Sequence, residues 1–321
     1  MVPNRWKVAT ALSAVALLLA ACGSGDDDSN RGDAAGTTKI KVAVLPLADY
    51  APVYWAKDHG QFEKQGLDVT FENLQGGPVG TQKVVTGELQ FAFSNPVSST
   101  IASSKGAPVQ TVALVSGLGE GELGVFVKPN SPIKDMQDLD GKTVGINTTN
   151  NVGDITFAKL AKSNGIDAQP DWVEVPFPEM IAGVQNGSIQ AGYLPEPFAS
   201  AAKQAGLREV VNLVQGDLVG LPMSTFVTST QYAKQNPEVV AKFARALSDA
   251  RQEIAGDEEA FRSWLPEATG TPAEASQKMN LPVFDVELSV KEMQEMADFL
   301  GELDVINDGY DASKYTIISK K

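Results

Sequence analysis

At 321 residues, with 43% hydrophobic residues and a formal net charge of -14, the chain is long enough to bury the cores of two compact lobes. Its acidic balance argues against nucleic acid as a partner and against attraction to an anionic membrane surface. A single cysteine, Cys22, excludes an intrachain disulfide, and a single histidine, His59, leaves no second His or free Cys for a metal site or a nucleophile pair.

Arg5 and Lys7 precede an apolar stretch from Val8 to Ala20 that is too short to span a bilayer, the pattern of an export signal. It ends in Leu19-Ala20-Ala21-Cys22, which resembles the bacterial lipobox. That resemblance implies that Cys22 is lipidated and becomes the first residue of the mature protein. More than one acyl chain on it, palmitate included, makes a stable anchor where one alone is reversible. Gly23 to Thr38 is rich in Gly, Ser, Asp, Asn, Thr and Ala and reads as a flexible tether reaching on the order of 20 Å.

Lys39 to Gly77 reads as a βαβ unit. Val42, Val44 and Leu45 mark a strand, Pro52 opens a helix, Gly60 and Gly66 punctuate the turns, and Asp68 to Leu74 forms the second strand. The right-handed crossover makes the strands parallel, and ligands bind beyond the carboxyl ends of such strands. Leu47, Asp49 and Tyr50 follow the first strand end and Gln75 the second. A helix is expected over Thr81 to Thr86, a strand over Leu89 to Phe93 ending in Ser94-Asn95-Pro96, a helix over Val97 to Lys105, and a strand over Val109 to Ser116 stopping at Gly117. Small or polar residues at these ends leave room for a ligand, although turn chemistry selects the same residues.

A second α/β series follows. It comprises a strand Gly124 to Lys128, a short helix Ile133 to Gly141, a strand Thr143 to Ile146, and the polar corner Asn147-Thr148-Thr149-Asn150-Asn151 before a helix to about Ser163. A strand Trp172 to Val175, a helix Pro178 to Asn186, and a strand Ala191 to Leu194 ending in Pro195-Glu196-Pro197-Phe198 complete it. The corner at Asn147 offers helix N-terminal N–H groups to an anion or acceptor, with one of its side chains also serving as N-cap. Asn236 to Ala250 and Ser289 to Leu300 show helical periodicity, with Met293 and Met296 assigned to core.

Pro52-Val53-Tyr54-Trp55-Ala56 with Gly60-Gln61-Phe62 and Gly66-Leu67-Asp68-Val69, then Ser131-Pro132-Ile133 with Asp138 to Gly145, then Glu196-Pro197-Phe198, resemble the nitrate, sulfonate and thiamine-precursor group of ABC-importer solute-binding proteins. The resemblance implies a type II periplasmic-binding-protein fold, each lobe a mostly parallel sheet flanked by helices, with the ligand trapped between lobes and handed to the transmembrane subunits of a permease. With the signal at residues 1–21 and the tether at 22–38, it places the first lobe at 39–126 and 224–321 and the second at 127–223. A monomer without a cofactor or metal, held at the outer face of the cytoplasmic membrane, is expected. The group also includes a eukaryotic enzyme branch that uses an active-site histidine and a cysteine-rich motif. This chain lacks those cysteines.

The expected ligand contacts are Asp49, Tyr50, Gln75, Ser94, Asn95, Gly117, Asn147, Thr148, Thr149, Asn150, Phe177, Tyr193 and Glu196. Asp49 and Glu196 are expected to face each other across the cleft, where two carboxylates recognise an amine or ring N–H or share acid–base work. Aromatics stack on flat rings or cage cations, and Tyr50 and Phe177 lead that set. None of these segments contains Lys or Arg, which favours a pyrimidine-like or amine-bearing heteroaromatic over nitrate, taurine or another sulfonate. A ligand sensor or a cleft enzyme of the same fold is the competing reading.

Overall fold

Lys39 and Lys41 alternate with Ile40 and Val42 along β1 (Thr38–Val44), so one face of its first half is wet. Its last three residues are all buried, as befits a strand with neighbours on both sides. The computed structural model describes residues 36–318; the expected export signal, the expected lipidation at Cys22 and most of the expected tether lie outside the described residues. After β1 come α1 (Ala51–Asp58), α2 (Gln61–Lys64), β2 (Leu67–Asn73), α3 (Gly77–Thr86), β3 (Phe91–Ser94), α4 (Pro96–Ser104) and β4 (Val109–Gly117). The chain then forms β5 (Leu123–Val127), β6 (Thr143–Ile146), α5 (Val152–Ser163), β7 (Asp171–Glu174), α6 (Phe177–Asn186), β8 (Ala191–Pro195), α7 (Phe198–Gln204) and β9 (Arg208–Asn212). It returns through β10 (Pro222–Ser229), α8 (Thr230–Gln235), α9 (Pro237–Gly256), α10 (Glu258–Thr269), α11 (Ala273–Lys278) and α12 (Val290–Glu302).

Two sheets result, ordered β2-β1-β3-β10-β4 and β7-β6-β8-β5-β9. Each is parallel except for one inserted strand, β10 in the first and β5 in the second, which runs antiparallel to both neighbours. Those two strands are the first after each passage between sheets. The carboxyl ends of β1 to β4 therefore share one edge, as expected from sequence, and face the corresponding edge of the second sheet.

Two of the expectations shift. β5 lies wholly in the second sheet, so the outward passage runs through residues 118–122, upstream of the expected boundary at Val127; the return runs through 213–221. The turn-forming Gly119-Glu120-Gly121 makes the crossing, while Val125 and Val127 are already core of the second lobe. The expected helix from Ile133 to Gly141 reduces to one 3-10 turn, Gln137–Leu139. Here Asp135 accepts the Gln137 N–H at 3.0 Å and Asp138 the Lys134 N–H at 2.8 Å, and these local bonds compete with a helical ladder.

The two passages are bonded to each other. Gly220 donates its N–H to the Leu118 carbonyl at 2.8 Å, Leu118 returns one to Leu221 at 2.8 Å, and Gly121 donates to Val214 at 3.2 Å. The tail covers them. Gly117 and Val283 exchange both backbone hydrogen bonds, and a Cβ on Gly119 would collide with the Leu281 carbonyl. Because that neighbour is backbone rather than a flexible side chain, Gly119→Ala is expected to destabilise the protein by about 1–3 kcal/mol, read from chemical denaturation.

Candidate ligand-binding site

Asp49 lies in a 3-10 turn, Ala48–Tyr50, that carries the chain from β1 into α1, where Pro52 occupies the first turn. Its carboxyl is fully buried. Oδ2 accepts a 2.5 Å hydrogen bond from the Ser224 hydroxyl on β10, and Oδ1 has no hydrogen-bond partner. Glu122, in the outward passage, is also fully buried; its Oε2 accepts the Gly119 N–H at 2.8 Å and its Oε1 has none. Burial pushes the Asp49 carboxyl up to about 6, partly offset by Ser224 and by the nearby backbone N–H groups of Asp49 and Tyr50. Burial, reinforced by the nearby charge of Asp49, pushes Glu122 well above the usual carboxylate range.

Around Asp49 lies an inner chamber of about 30 Å³, room for a water molecule or two. Tyr50, Asn95, Asn147, Phe177 and Tyr193 line it with Asp49, six of the residues expected from sequence. Tyr50 is fixed by its hydroxyl, which donates to the Ser94 carbonyl at 2.6 Å, and by edge contact with Phe93 at 5.2 Å between ring centroids. Phe177, at the first turn of α6, leans on Tyr193 of β8 at 6.0 Å. An outer chamber of about 210 Å³ adjoins it through Leu45, Leu47 and Phe177, and Gln75 stands on its wall.

Asn95 and Asn151 close the cleft. Each is the N-cap of a helix, α4 in the first lobe and α5 in the second. Asn95 Nδ2 donates to Asn151 Oδ1 at 2.8 Å, and Ser98 Oγ donates to the same oxygen at 3.1 Å. Asn147 Nδ2 reaches the Gln75 carbonyl at 3.3 Å. Gly76 meets Thr148 so closely that any Cβ would strike its hydroxyl.

Several expected residues have other occupations. Thr149 gives both its N–H and its hydroxyl to Glu174, at 2.9 and 3.0 Å, and Asn150 gives its N–H to Asp154 at 2.5 Å. Asp154 also accepts the Asn151 N–H, completing a capping box, so the α5 N-terminus is already satisfied by the chain itself. Gly117 is taken by the tail at Val283, and Ser94 contributes its carbonyl to Tyr50. Glu196 does not meet Asp49 through a chamber. Its oxygens accept Ser200 N–H at 3.0 Å, Ser200 Oγ at 2.9 Å and Asn280 N–H at 3.3 Å, fastening the second lobe to the tail.

Sequence reasoning passed over Leu45, Gly76, Asn151, Met223 and Glu122 as site residues. Gly76 follows the β2 end and Asn151 closes the polar corner, so the strand-edge rule extended by one or two residues reaches them. Glu122 lies on the outward passage and Met223 at the start of β10 just after the return, stretches that carry no local motif. His59 is exposed and stacked on Trp55 at 3.9 Å, on the outer side of α1 and outside both chambers.

Residues 48–260 match the family described as NMT1/THI5 like. The chain belongs to that family. Among its relatives, the riboflavin-binding protein RibY of Chloroflexus aurantiacus is 28% identical over 240 residues, 71% of this chain and 66% of that one. A 4-amino-5-hydroxymethyl-2-methylpyrimidine phosphate synthase of Saccharomyces cerevisiae, THI13, is 25% identical over 66% of this chain and 65% of its own. The chain thus spans about two thirds of the length of these relatives. In structure, the alkanesulfonate-binding protein SsuA of Xanthomonas axonopodis, bound to MOPS, superposes with a TM-score of 0.75 at 17% identity, covering 88% of this chain and 99% of that one. The fold is that of the periplasmic binding proteins.

The raised Asp49 carboxyl has a measurable sign. The folded group keeps its proton up to about pH 6, whereas the unfolded one releases it near 3.8, so its contribution is complete below pH 4 and lost as pH rises to 6. The stability of Asp49→Asn relative to wild type is expected to rise over that window by about 3 kcal/mol and then level off, followed by denaturation at a series of pH values.

Proposed function

We propose that this chain is an exported, lipid-anchored binding protein that captures a small organic solute between its lobes and delivers it to the transmembrane subunits of an ABC importer. The preferred ligand class is a pyrimidine-like or amine-bearing heteroaromatic. One observation carries this reading: Asp49 presents an unpartnered, fully buried carboxyl oxygen beside a chamber whose described lining contains no lysine or arginine. A ring N–H or amino group satisfies that oxygen and turns a desolvation penalty into a charge-assisted hydrogen bond. Tyr50, Phe177 and Tyr193 supply flat walls for the ring, and Asn95 and Asn147 supply polar edges.

Relatives named for riboflavin binding and for pyrimidine synthesis favour a nitrogen heterocycle, while relatives named for taurine and for aliphatic sulfonates favour an anion. The satisfied α5 N-terminus weighs against the anion, because Asp154 and Glu174 already take the donors an anion needs. Binding rather than turnover is supported by the position of His59 outside the chambers. Cys22 and the tether to Thr38 supply the membrane attachment, and the two sheets with their passages define the lobes. The protein acts as a monomer.

Thermal unfolding of the portion from Arg31 onward against pyrimidines, amines, sulfonates and nitrate tests the assignment. A ligand at about a hundred times its dissociation constant adds roughly 2.7 kcal/mol, a shift of several degrees. A selective shift with pyrimidines is expected, and a selective shift with sulfonates overturns the ligand class. Asp49→Asn is expected to weaken pyrimidine binding by about ten- to a hundredfold in calorimetric titration. Undiminished affinity removes Asp49 from the site.

A further inference from the structure

The inner chamber, at about 30 Å³, is far smaller than the roughly 150 Å³ cavity that a benzene ring fills. A heteroaromatic anchored on Asp49 while the lobes are in contact therefore extends beyond it. The adjoining outer chamber is about seven times larger and differs in chemistry. Leu45 and Leu74 bound it from the first lobe and Phe177, Pro178 and Phe198 from the second, with Asn73 and Gln75 exposed at its rim. Phe177 belongs to both chambers, lying against Tyr193 on the inner side and stacked with Phe198 at 5.6 Å on the outer.

We infer that the outer chamber is a second subsite, and that the ligand has two parts: an N–H-bearing head at Asp49 and an apolar or aromatic substituent held between Leu45 and Leu74 on one lobe and Pro178 and Phe198 on the other. This rests on the head-group reading given above. The adjacency of the two chambers supports it, since Leu45, Leu47 and Phe177 line both and are the side chains a two-part ligand would pass. Its walls come from both lobes, so a substituent there is buried only on closure and favours the closed form over the open one. A ligand lacking the substituent gains nothing from that half of the cleft.

The test uses the full chain in detergent and two probes, 4-amino-2-methylpyrimidine and the same ring carrying a benzyl group at carbon 5, each titrated calorimetrically. The benzylated probe is expected to bind about tenfold tighter or better, as burial of several apolar carbons implies. In Phe198→Ala, and separately in Leu74→Ser, the ratio of the two affinities is expected to fall toward one. Both side chains are only half-buried, and unfolding temperatures report whether each variant is folded. If the parent ring binds and the benzylated one binds no tighter, the second subsite is overturned while the head-group assignment stands. If neither binds, both are overturned. A ratio that survives both substitutions also overturns the subsite.

Discussion

The backbone hydrogen bonds that join the outward passage at Leu118 and Gly121 to the return at Val214, Gly220 and Leu221 set the terms for the whole molecule. Two strands of chain tied side by side allow the lobes to swing but keep the same sheet edges opposed. A parallel sheet places its ligand-binding loops at one edge, and the paired passages bring two such edges together. The inserted strands β5 and β10 follow directly from this arrangement, because each is the first segment delivered into a new sheet. Packing the tail at Leu281 and Val283 over the passages leaves no space for a side chain at Gly119 and narrows the directions in which the hinge can bend.

Within that frame the electrostatics of the cleft are unequal. The second lobe neutralises its own helix terminus, through Asp154 and Glu174, and presents mainly aromatic and amide surface. The first lobe leaves carboxyl groups underpaired at the base, Asp49 and, just beyond it, Glu122 on the passage. A buried, underpaired acid is costly, and the fold keeps Asp49 at the wall of the inner chamber, where the proposed ligand donor would meet it. Specificity of this kind resides in what the site lacks in its empty form as much as in what it contains.

Much of this was legible in the chain. The βαβ unit around Pro52, the strand ends at Asp49, Gln75 and Asn95, and the corner at Asn147 all carry local signatures, and Asp49, Gln75, Asn95 and Asn147 come to the chamber walls. The resemblance to two-lobed binding proteins supplied the overall architecture. What local reading could not supply was competition for partners over long sequence distances. Glu196 is drawn off by Asn280, and Gly117 by Val283, both in a tail whose path no motif announces. Thr149 and Asn150 advertise anion-binding chemistry, yet their donors are spent on carboxylates four to twenty-five residues away. The outer chamber is invisible in sequence because its walls, Leu74 and Phe198 among them, are ordinary apolar residues joined only by lobe contact.

The small size of the inner chamber also has a kinetic side. On the proposed reading, a solute cannot enter a space that holds a water or two while Asn95 meets Asn151, so association would proceed through molecules whose lobes have parted. Release obeys the same gate. Residence time is then governed by how often the Asn95–Asn151 bridge and the Gly76–Thr148 contact come undone, and only in part by the strength of the contacts around the solute itself. On the proposed importer role, a permease that pries at either contact shortens that time without touching the solute.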